Sequence, residues 1–415
     1  MVNDVLNKRA IKNPHKVLMT YENKQISCTQ FNSMVNNYYD TLKTKKYEYI
    51  GLQIKDKLKL LIAIIAINRK KAIPIIYPNH PNIDEYICTT KIPIDIKDFE
   101  LIECENLFQG QVAYDKNDTQ LVMFTSGSLG NPKPCELTYG NFYESSRIWD
   151  KIISFNHDDV YLNHMPLTHV SGMCIFFRSL YYNFEMILDD FNINNYIKNS
   201  QGITLASMVP AMLEIICDNM KDISLEQMKA IIVGGENINI KLLEKIKTNK
   251  IPAYISYGLT ESCSGIAGAW VNDFSKNLVY KSHQQVTISS ADKALRITSP
   301  TIAKKYFNSK QLFNNSFITS DCTEIIKKNK FKFKRRLDDI IVSGGENISI
   351  NYVKKNILKY KGIKSCSIEI IRNKRWGKAM HAILVTEKNI DKQKFQKKIT
   401  KFLPNHMIPK KITIQ

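Results

Sequence analysis

The sequence predicts an α/β fold, in which a large N-terminal domain with mostly parallel sheets flanked by helices precedes a small α+β C-terminal domain. Three observations support this prediction. The 415 residues are too many for one compact core, so at least two domains are expected. Short apolar runs alternate with segments of helical period through most of the chain. From about Lys330 the chain changes to short segments of alternating polarity.

The alternation of strands and helices is typical of a largely parallel sheet covered on both faces. Phosphate-binding loops in such folds lie at the carboxyl ends of strands. The predicted strands are residues 49–52, 72–76, 120–124, 159–163, 203–208, 230–233 and 253–255. The predicted helices are residues 58–68, 210–219 and 241–247.

The end of the chain predicts the smaller domain. Its two predicted helices are residues 352–360 and 392–402. Its three predicted strands are residues 331–333, 367–371 and 381–385. We expect the junction near Arg336, which gives domains of residues 1–336 and 337–415.

The formal charge of +20 does not by itself predict binding to nucleic acid. Lysines lie along the whole chain among isoleucines and asparagines, and dispersed charge usually forms solvated faces. The densest basic run, residues 327–336, predicts either a site for a phosphorylated ligand or an exposed strand pair with its turn. We expect no nucleic-acid partner.

The short apolar runs and the isolated cysteines favour a cytoplasmic protein. The longest apolar run, residues 60–67, is far shorter than the roughly 20 residues that cross a bilayer. Residues 1–16 show no signal-peptide pattern. The nine cysteines stand singly, without metal-ligand spacing, which indicates reduced thiols. We expect a monomer or homodimer that does not insert into membranes.

Residues 120–133 are the most informative segment. An apolar run enters a loop whose glycines, hydroxyls and lysine suit the binding of phosphate oxygens. The spacing of a Walker A motif is absent. An ordinary Gly/Ser turn would explain neither the order of these residues nor their position after a strand. The candidate phosphate ligands are Thr125, Ser126, Gly127, Ser128, Gly130 and Lys133.

This loop resembles the phosphate-binding motif of the adenylate-forming superfamily of acyl-CoA synthetases, aryl-CoA ligases, luciferases and peptide-synthetase adenylation domains. Further matches follow in the family's order. Residues 256–261 resemble its Y-G-x-T-E motif, residues 319–321 its T-G-D motif, and residues 336–348 its R-x-D hinge and G-E-N-I loop. The resemblance covers nearly the whole chain, and a chance match of four ordered motifs is very rare.

The chemistry of this family explains the residue types. A carboxylate resists nucleophilic attack, so the acid is first activated when its oxygen attacks the α-phosphorus of ATP and pyrophosphate leaves. The resemblance implies that Glu261 holds Mg²⁺ and that Thr260 and Thr125 donate to phosphate oxygens. It also implies that Asp321 accepts from the ribose hydroxyls, with Arg336 beside it. The other expected nucleotide contacts are Gly234, Gly235, Glu236, Ser256, Tyr257 and Gly258.

The resemblance implies a second step with coenzyme A as co-substrate. In the superfamily the small domain is mobile and rotates about a hinge, here Asp338, so that one face serves adenylation and another serves thioester formation. The loop with Gly344 and Gly345 would line the pantetheine tunnel.

Residues 164–172 and 176–178 resemble the acyl pocket of the o-succinylbenzoate–CoA ligases of menaquinone and phylloquinone biosynthesis. Arg178 suits a dianionic aromatic acid, because its fork pairs with the carboxylate that is not activated; the alternative is a surface arginine. His169 would orient the reacting carboxylate or the thiol, or is a core histidine. Ser207 would also line this pocket. The alternative function is that of another aryl- or acyl-CoA ligase.

Three departures from the family pattern matter. Ser320 replaces the glycine of T-G-D, and Leu129 replaces a threonine of the phosphate loop. The chain ends at Gln415, before the G-K pair whose lysine grips the acid during adenylation. We therefore keep two hypotheses. The first is an enzyme that adenylates slowly, or uses another cation, or lacks its tail only in the sequence as given. The second is a degenerate member that binds an acyl-adenylate or CoA ester without catalysis. The retained motif residues favour the enzyme.

Overall fold

The computed structural model describes residues 2–78, 96–101, 106, 112–125, 132–236, 238–273, 278–337, 340–386 and 390–414. The helices of this part are Val5–Lys12, Cys28–Thr41, Lys57–Arg69, Tyr139–Ile153, Val170–Tyr182, Ile193–Asn199, Pro210–Asp218, Ile240–Thr248, Ile350–Ile357 and Lys392–Ile399. Short 3-10 turns are Met220–Asp222, Thr260–Ser262, Val271–Asp273 and Asn405–Met407. None of these helices has the length and apolar character that would let it span a membrane.

The largest sheet has a parallel half. Parallel pairs link its strands in the order Ala253–Leu259, Ala230–Val233, Leu205–Met208, Val160–Asn163, Glu185–Leu188 and Val17–Tyr21. The strand Lys24–Ser27 closes this edge as an antiparallel hairpin. The predicted parallel sheet is therefore confirmed for this half.

The other half of this sheet is antiparallel. It continues from Ala253–Leu259 through Ser264–Trp270, Tyr280–Ser282, Lys330–Arg336, Ser316–Lys327, Ala294–Thr298 and Thr287–Ala291. The basic run therefore forms a strand pair with its turn, the second of its two interpretations. The prediction that residues 331–333 begin the pattern of the small domain is wrong, because Phe331 pairs with Tyr280 and is buried in the large sheet.

A second sheet lies beside the first. Its strands follow the order Lys305–Tyr306, Pro134–Thr138, Thr119–Phe124, Ile73–Ile76 and Tyr49–Leu52, with the last three parallel. The helix Lys57–Arg69 contacts the helix Cys28–Thr41, and its residues 60–69 are all buried. Asp56 caps this helix by accepting a hydrogen bond from the backbone N–H of Lys59 (2.8 Å). A two-stranded ladder joins Val2–Asn3 to Ala113–Tyr114.

The residues from 340 onward form their own hydrophobic core, which includes Val353, Leu384 and Phe395. Their strands are the hairpin Ile340–Ser343 and Glu346–Ser349, and a sheet of Ile363–Asn373, Gly377–Thr386 and Lys411–Ile414. This is the α+β arrangement predicted for the end of the chain. The domain boundary at residues 336 and 337 stays a prediction, and the hinge residue Asp338 lies outside the described residues.

Candidate active site

The carboxyl ends of three parallel strands lie side by side. Met208 is in register with Val233, and Val233 with Ile255. Gly234 follows its strand directly and lies beside Ser256 of the neighbouring strand, so that a side chain on Gly234 would lie 3.6 Å from the carbonyl oxygen of Ser256. This edge is where doubly wound folds bind nucleotides, and the structure brings these predicted residues together there.

Ser207 lies one residue before the end of its strand and is 7 % exposed. Its Oγ lies 2.7 Å from the hydroxyl of Tyr161. Burial raises the pKa of Tyr161, and the neighbouring Arg178 opposes that shift. The structure thus connects two of the residues predicted for the acid, Ser207 and Arg178, through a tyrosine that the sequence analysis did not identify. A contact of Ser207 with the substrate stays a prediction.

Asp321 and Arg336 face each other across two antiparallel strands. Arg336 Nη1 donates to Asp321 Oδ1 (2.8 Å), and the hydroxyl of Tyr257 donates to Oδ2 (2.5 Å). Burial and the nearby Asp321 raise the pKa of Tyr257 well above its usual range, so this hydroxyl remains a donor. The bond between Tyr257 and Asp321 was not predicted. The contact of Tyr257 with the nucleotide stays a prediction.

Glu261 lies in the 3-10 turn that follows the strand Ala253–Leu259. Glu261 is 9 % exposed, and the hydroxyl of Tyr306 donates to its Oε1 (2.6 Å). Burial raises the pKa of Glu261, and Tyr306, Lys133 and Arg336 oppose that shift. A buried carboxylate is stabilised in its charged form by a cation, so this residue suits the predicted Mg²⁺ site. Thr260 precedes it in the same turn.

Gly258 has a structural role. The strand Ala253–Leu259 shifts register against its antiparallel partner between Tyr257 and Gly258. A side chain on Gly258 would lie 2.2 Å from the carbonyl oxygen of Ser264. Only glycine therefore allows the two strands to close beside the Glu261 turn. Its contact with the nucleotide stays a prediction.

Two backbone contacts close the base of the predicted phosphate loop. The N–H of Thr125 donates to the carbonyl oxygen of Lys133 (2.9 Å), and the N–H of Lys133 donates to Thr125 Oγ1 (3.1 Å). The Lys133 side chain is exposed, and its Nζ lies 5.1 Å from the centre of the Tyr306 ring. The other loop residues that we predicted, Ser126, Gly127, Ser128 and Gly130, lie outside the described residues.

The loop with Gly344 and Gly345 contacts the first part of the chain. The N–H of Gly345 donates to Glu236 Oε1, and Gly345 has a φ of +85°. A side chain on Gly345 would lie 2.8 Å from Val209 Cγ1. The structure therefore places the Glu236 carboxylate against this loop, and a side chain on Gly235 would lie 3.8 Å from the Cα of Gly345. The contact of Glu236 with the nucleotide stays a prediction.

His169 precedes the helix Val170–Tyr182, and its Nε2 lies 2.9 Å from Glu346 Oε1. Glu346 raises the pKa of His169. Burial raises the pKa of Glu346, but His169 and His406 outweigh it and hold that pKa at about 2. His169 therefore pairs with a carboxylate, and its side chain is 35% exposed rather than in the core. Its role in orienting the reacting carboxylate or the thiol stays a prediction. The sequence offered no signal for this pair, because its members lie 177 residues apart.

Arg178 is buried on the same helix, with 2 % of its surface exposed. Its Nη2 donates to Ser264 Oγ (3.3 Å), and its guanidinium lies 4.9 Å from the centre of a Trp149 ring. In the part of the chain that the structure describes, its Nε has no hydrogen-bond partner and no carboxylate forms an ion pair with it. The alternative of a surface arginine is wrong, because this side chain lies in the interior.

The residues present fit the expected cofactors. No group of three or more metal-ligating side chains occurs among the residues that the structure describes. Mg²⁺ commonly binds through one or two carboxylates together with phosphate oxygens of a substrate, and Glu261 meets that requirement. Each carboxylate oxygen of Asp321 carries two lone pairs and accepts one hydrogen bond, from Arg336 or from Tyr257. The second lone pair of each oxygen can accept a hydrogen bond from a ribose hydroxyl.

Comparisons with known proteins agree with this site. A family model described as AMP-binding enzyme matches residues 77–302. The 2-succinylbenzoate–CoA ligase of Bacillus licheniformis is 26% identical over 337 residues, which are 76% of this chain and 70% of that protein.

Two solved structures of the o-succinylbenzoate CoA synthetase of Bacillus subtilis have the same fold. A double mutant bound with its product analogue has a TM-score of 0.85 at 20% identity, over 100% of this chain and 95% of that chain. The complex with ATP and a magnesium ion has a TM-score of 0.70 at 20% identity, over 100% of this chain and 96% of that chain.

These findings confirm the predicted fold class and the predicted superfamily. The family model covers more than half of the chain. The prediction of an adenylate-forming acid–CoA ligase is confirmed at the level of this class. The chain belongs to the AMP-binding enzyme family.

Proposed function

We propose that this ligase activates an aromatic dicarboxylic acid, 2-succinylbenzoate, through an acyl-adenylate and transfers it to coenzyme A, as a step of menaquinone or phylloquinone biosynthesis. The observation that carries the proposal is the buried guanidinium of Arg178, which lacks a carboxylate partner among the described residues. The similarity to 2-succinylbenzoate–CoA ligases supports the choice of acid.

The physical argument concerns an uncompensated charge. An arginine remains protonated in proteins, and a buried charge without a counter-charge costs several kcal/mol. Among the described residues, Arg178 has hydrogen bonds with two neutral hydroxyls, those of Ser264 and Tyr161, and the face of Trp149 to offset that cost. A ligand that brings a carboxylate to this position would supply the missing charge, and the guanidinium fork can bind both of its oxygens.

The position of Arg178 links this recognition to the chemistry. Its partner Ser264 lies three residues after Glu261, on the strand that pairs with Ala253–Leu259. A dicarboxylate held by Arg178 at one end would therefore extend toward the turn that carries Thr260 and Glu261. The carboxylate that is not activated fixes the acid, and its other carboxylate is presented to the α-phosphorus of ATP.

The remaining residues have defined tasks in the first step. Glu261 would hold Mg²⁺, which when bound neutralises charge on the phosphates. Thr125 and Thr260 would donate to phosphate oxygens, and Lys133 places a positive charge beside the loop. Asp321 would fix the ribose. The acid's carboxylate oxygen then forms a bond to the α-phosphorus, and pyrophosphate leaves with the electron pair of the broken bond.

The second step needs coenzyme A near Gly344 and Gly345. Outside this loop, Arg375 and Lys410 lie 4.9 Å and 5.0 Å from the centre of a Trp376 ring, and Gly344 N–H donates to the carbonyl oxygen of Trp376 (3.0 Å). Burial and the neighbouring Arg375 lower the pKa of Lys410. These two cations suit the phosphates of coenzyme A, while its thiol would reach the acyl carbon and release AMP.

A panel of acids tests the proposal. Consumption of CoA with ATP and Mg²⁺ is measured for 2-succinylbenzoate, a fatty acid, an amino acid, and two analogues that each lack one carboxylate, 4-oxo-4-phenylbutanoate and 2-butanoylbenzoate. We expect kcat/KM for 2-succinylbenzoate to exceed that for every other acid by about 10²-fold or more, since a buried charge pair contributes about 3 kcal/mol. A preference for the fatty acid or the amino acid would reject the proposed substrate.

A further inference from the structure

Tyr306 contacts two of the residues that would bind ATP and its metal. Its hydroxyl donates to Glu261 Oε1 at 2.6 Å. The same ring lies 5.1 Å from Lys133 Nζ, within the range of a cation–π interaction. Tyr306 lies outside the four family motifs, at residues 120–133, 256–261, 319–321 and 336–348.

The fold holds Tyr306 in place through its backbone. The strand Lys305–Tyr306 pairs with Pro134–Thr138, which begins directly after Lys133, and Tyr306 is in register with Cys135. Three residues before Tyr306, the N–H of Ala303 donates to the carbonyl oxygen of Glu261 (2.8 Å). The backbone around Tyr306 is thus bonded both to the phosphate-loop strand and to the Glu261 turn.

The ring itself is also fixed. Phe313 packs edge-on against it, with ring centres 5.1 Å apart. The preceding Lys305 pairs with the buried Glu136 on the opposite side of the strand (3.5 Å). A side chain held in this way has little freedom to turn, so it can fix the orientation of groups that it contacts.

We propose that Tyr306 is a positioning residue for the ATP-dependent step: its hydroxyl aims the Glu261 carboxylate at the magnesium site, and its ring holds the Lys133 ammonium beside the phosphate loop. This inference rests on the proposed roles of Glu261 and Lys133. It is independent of which acid the enzyme activates.

The two contacts have different physical consequences. A hydrogen bond to a charged group changes a binding equilibrium by about tenfold to a hundredfold. Without the bond from Tyr306, the metal ion would have to order the Glu261 carboxylate as it binds. The ring contact is weaker and acts on Lys133, whose long side chain otherwise samples many rotamers. The hydroxyl should therefore determine metal binding, and the ring should contribute to ATP binding.

Two variants separate these contributions. Tyr306→Phe removes the hydroxyl and keeps the ring, whereas Tyr306→Leu removes both. Binding of Mn²⁺ to the enzyme with saturating ATP is followed by electron paramagnetic resonance, and the KM for ATP is measured in pyrophosphate exchange at saturating Mg²⁺. We expect Tyr306→Phe to weaken Mn²⁺ binding by about tenfold to a hundredfold with little change in KM for ATP. Tyr306→Leu should in addition raise that KM by about threefold or more.

A matched control is available in Tyr196, whose buried hydroxyl has no hydrogen-bond partner among the residues that the structure describes. Tyr196→Phe should bind Mn²⁺ and ATP as the unmodified enzyme does. Both phenylalanine variants should convert a synthetic acyl-adenylate and CoA to thioester at the unmodified rate, because that half-reaction uses neither Mg²⁺ nor the pyrophosphate-bearing part of ATP.

The inference fails if Tyr306→Phe binds Mn²⁺ with ATP as tightly as the unmodified enzyme. It also fails if Tyr306→Phe slows both half-reactions equally and lowers the melting temperature, since that result would assign a purely structural role. Because the Mn²⁺ titration contains no acid, rejection of 2-succinylbenzoate by the unmodified enzyme would overturn the proposed substrate and leave this inference intact.

Discussion

Replacing Arg178 with methionine is expected to lower kcat/KM for 2-succinylbenzoate by roughly 10²–10³-fold. Methionine keeps much of the buried side-chain volume and removes the charge. Loss of one partner from a buried charge pair costs about 3–5 kcal/mol, and each 1.4 kcal/mol corresponds to about tenfold. The KM for ATP should change little, because Arg178 contacts Ser264 and Trp149 rather than Asp321 or Lys133.

The effect should depend on the second carboxylate of the acid. With the analogue that lacks the carboxylate that is not activated, Arg178→Met and the unmodified enzyme should have similar kcat/KM values. The pair between the guanidinium and that carboxylate is then absent in both enzymes. Arg147→Met is the matched control, since Arg147 is exposed and pairs with Glu144 on its own helix. If Arg178→Met retains the full preference for the dicarboxylate, Arg178 does not bind it.

Replacing Glu261 with glutamine should abolish most adenylation while ATP still binds. The side-chain shape and the bond from Tyr306 are retained, and the negative charge that would face Mg²⁺ is lost. We expect pyrophosphate exchange at saturating ATP to fall by about 10²–10³-fold, by analogy with the loss of one preorganised group that stabilises transition-state charge.

Thioester formation from a synthetic acyl-adenylate separates this effect from misfolding. That half-reaction should proceed in Glu261→Gln at close to the unmodified rate, because it needs no metal-bound pyrophosphate. Glu144→Gln serves as the control, since Glu144 lies on an exposed helix face and pairs with Arg147. Unmodified exchange rates in Glu261→Gln would show that Glu261 has only a structural role.

Local sequence signals predicted four of the six strands in the parallel half of the large sheet and missed Glu185–Leu188 and Val17–Tyr21. The strands at residues 49–52 and 230–233 have the predicted bounds, and the helix Lys57–Arg69 extends the prediction by one residue at each end. These segments are short apolar runs with turn residues on both sides, so their type follows from local composition. The antiparallel half was missed because its strands alternate in burial and are partly exposed, as Ser316–Lys327 is.

The motif residues were found one by one, but most of their partners were not. Tyr306 lies 45 residues from Glu261, and Glu346 lies 177 residues from His169. Such contacts depend on strand order and on how the end of the chain packs against the large sheet, neither of which a local pattern contains. The environment of Arg178 likewise required the structure, because its burial comes from Trp149 on another helix.

The central claim is that the acid's carboxylate oxygen attacks the α-phosphorus of ATP, and isotope transfer tests it most directly. The enzyme is given 2-succinylbenzoate labelled with ¹⁸O in its carboxylates, together with unlabelled ATP, Mg²⁺ and CoA, and the nucleotide product is analysed by mass spectrometry. We expect AMP that carries one ¹⁸O atom for each thioester formed, because AMP leaves with the oxygen that made the bond to phosphorus. Thioester formation with ADP and labelled inorganic phosphate, or with unlabelled AMP, would contradict the account.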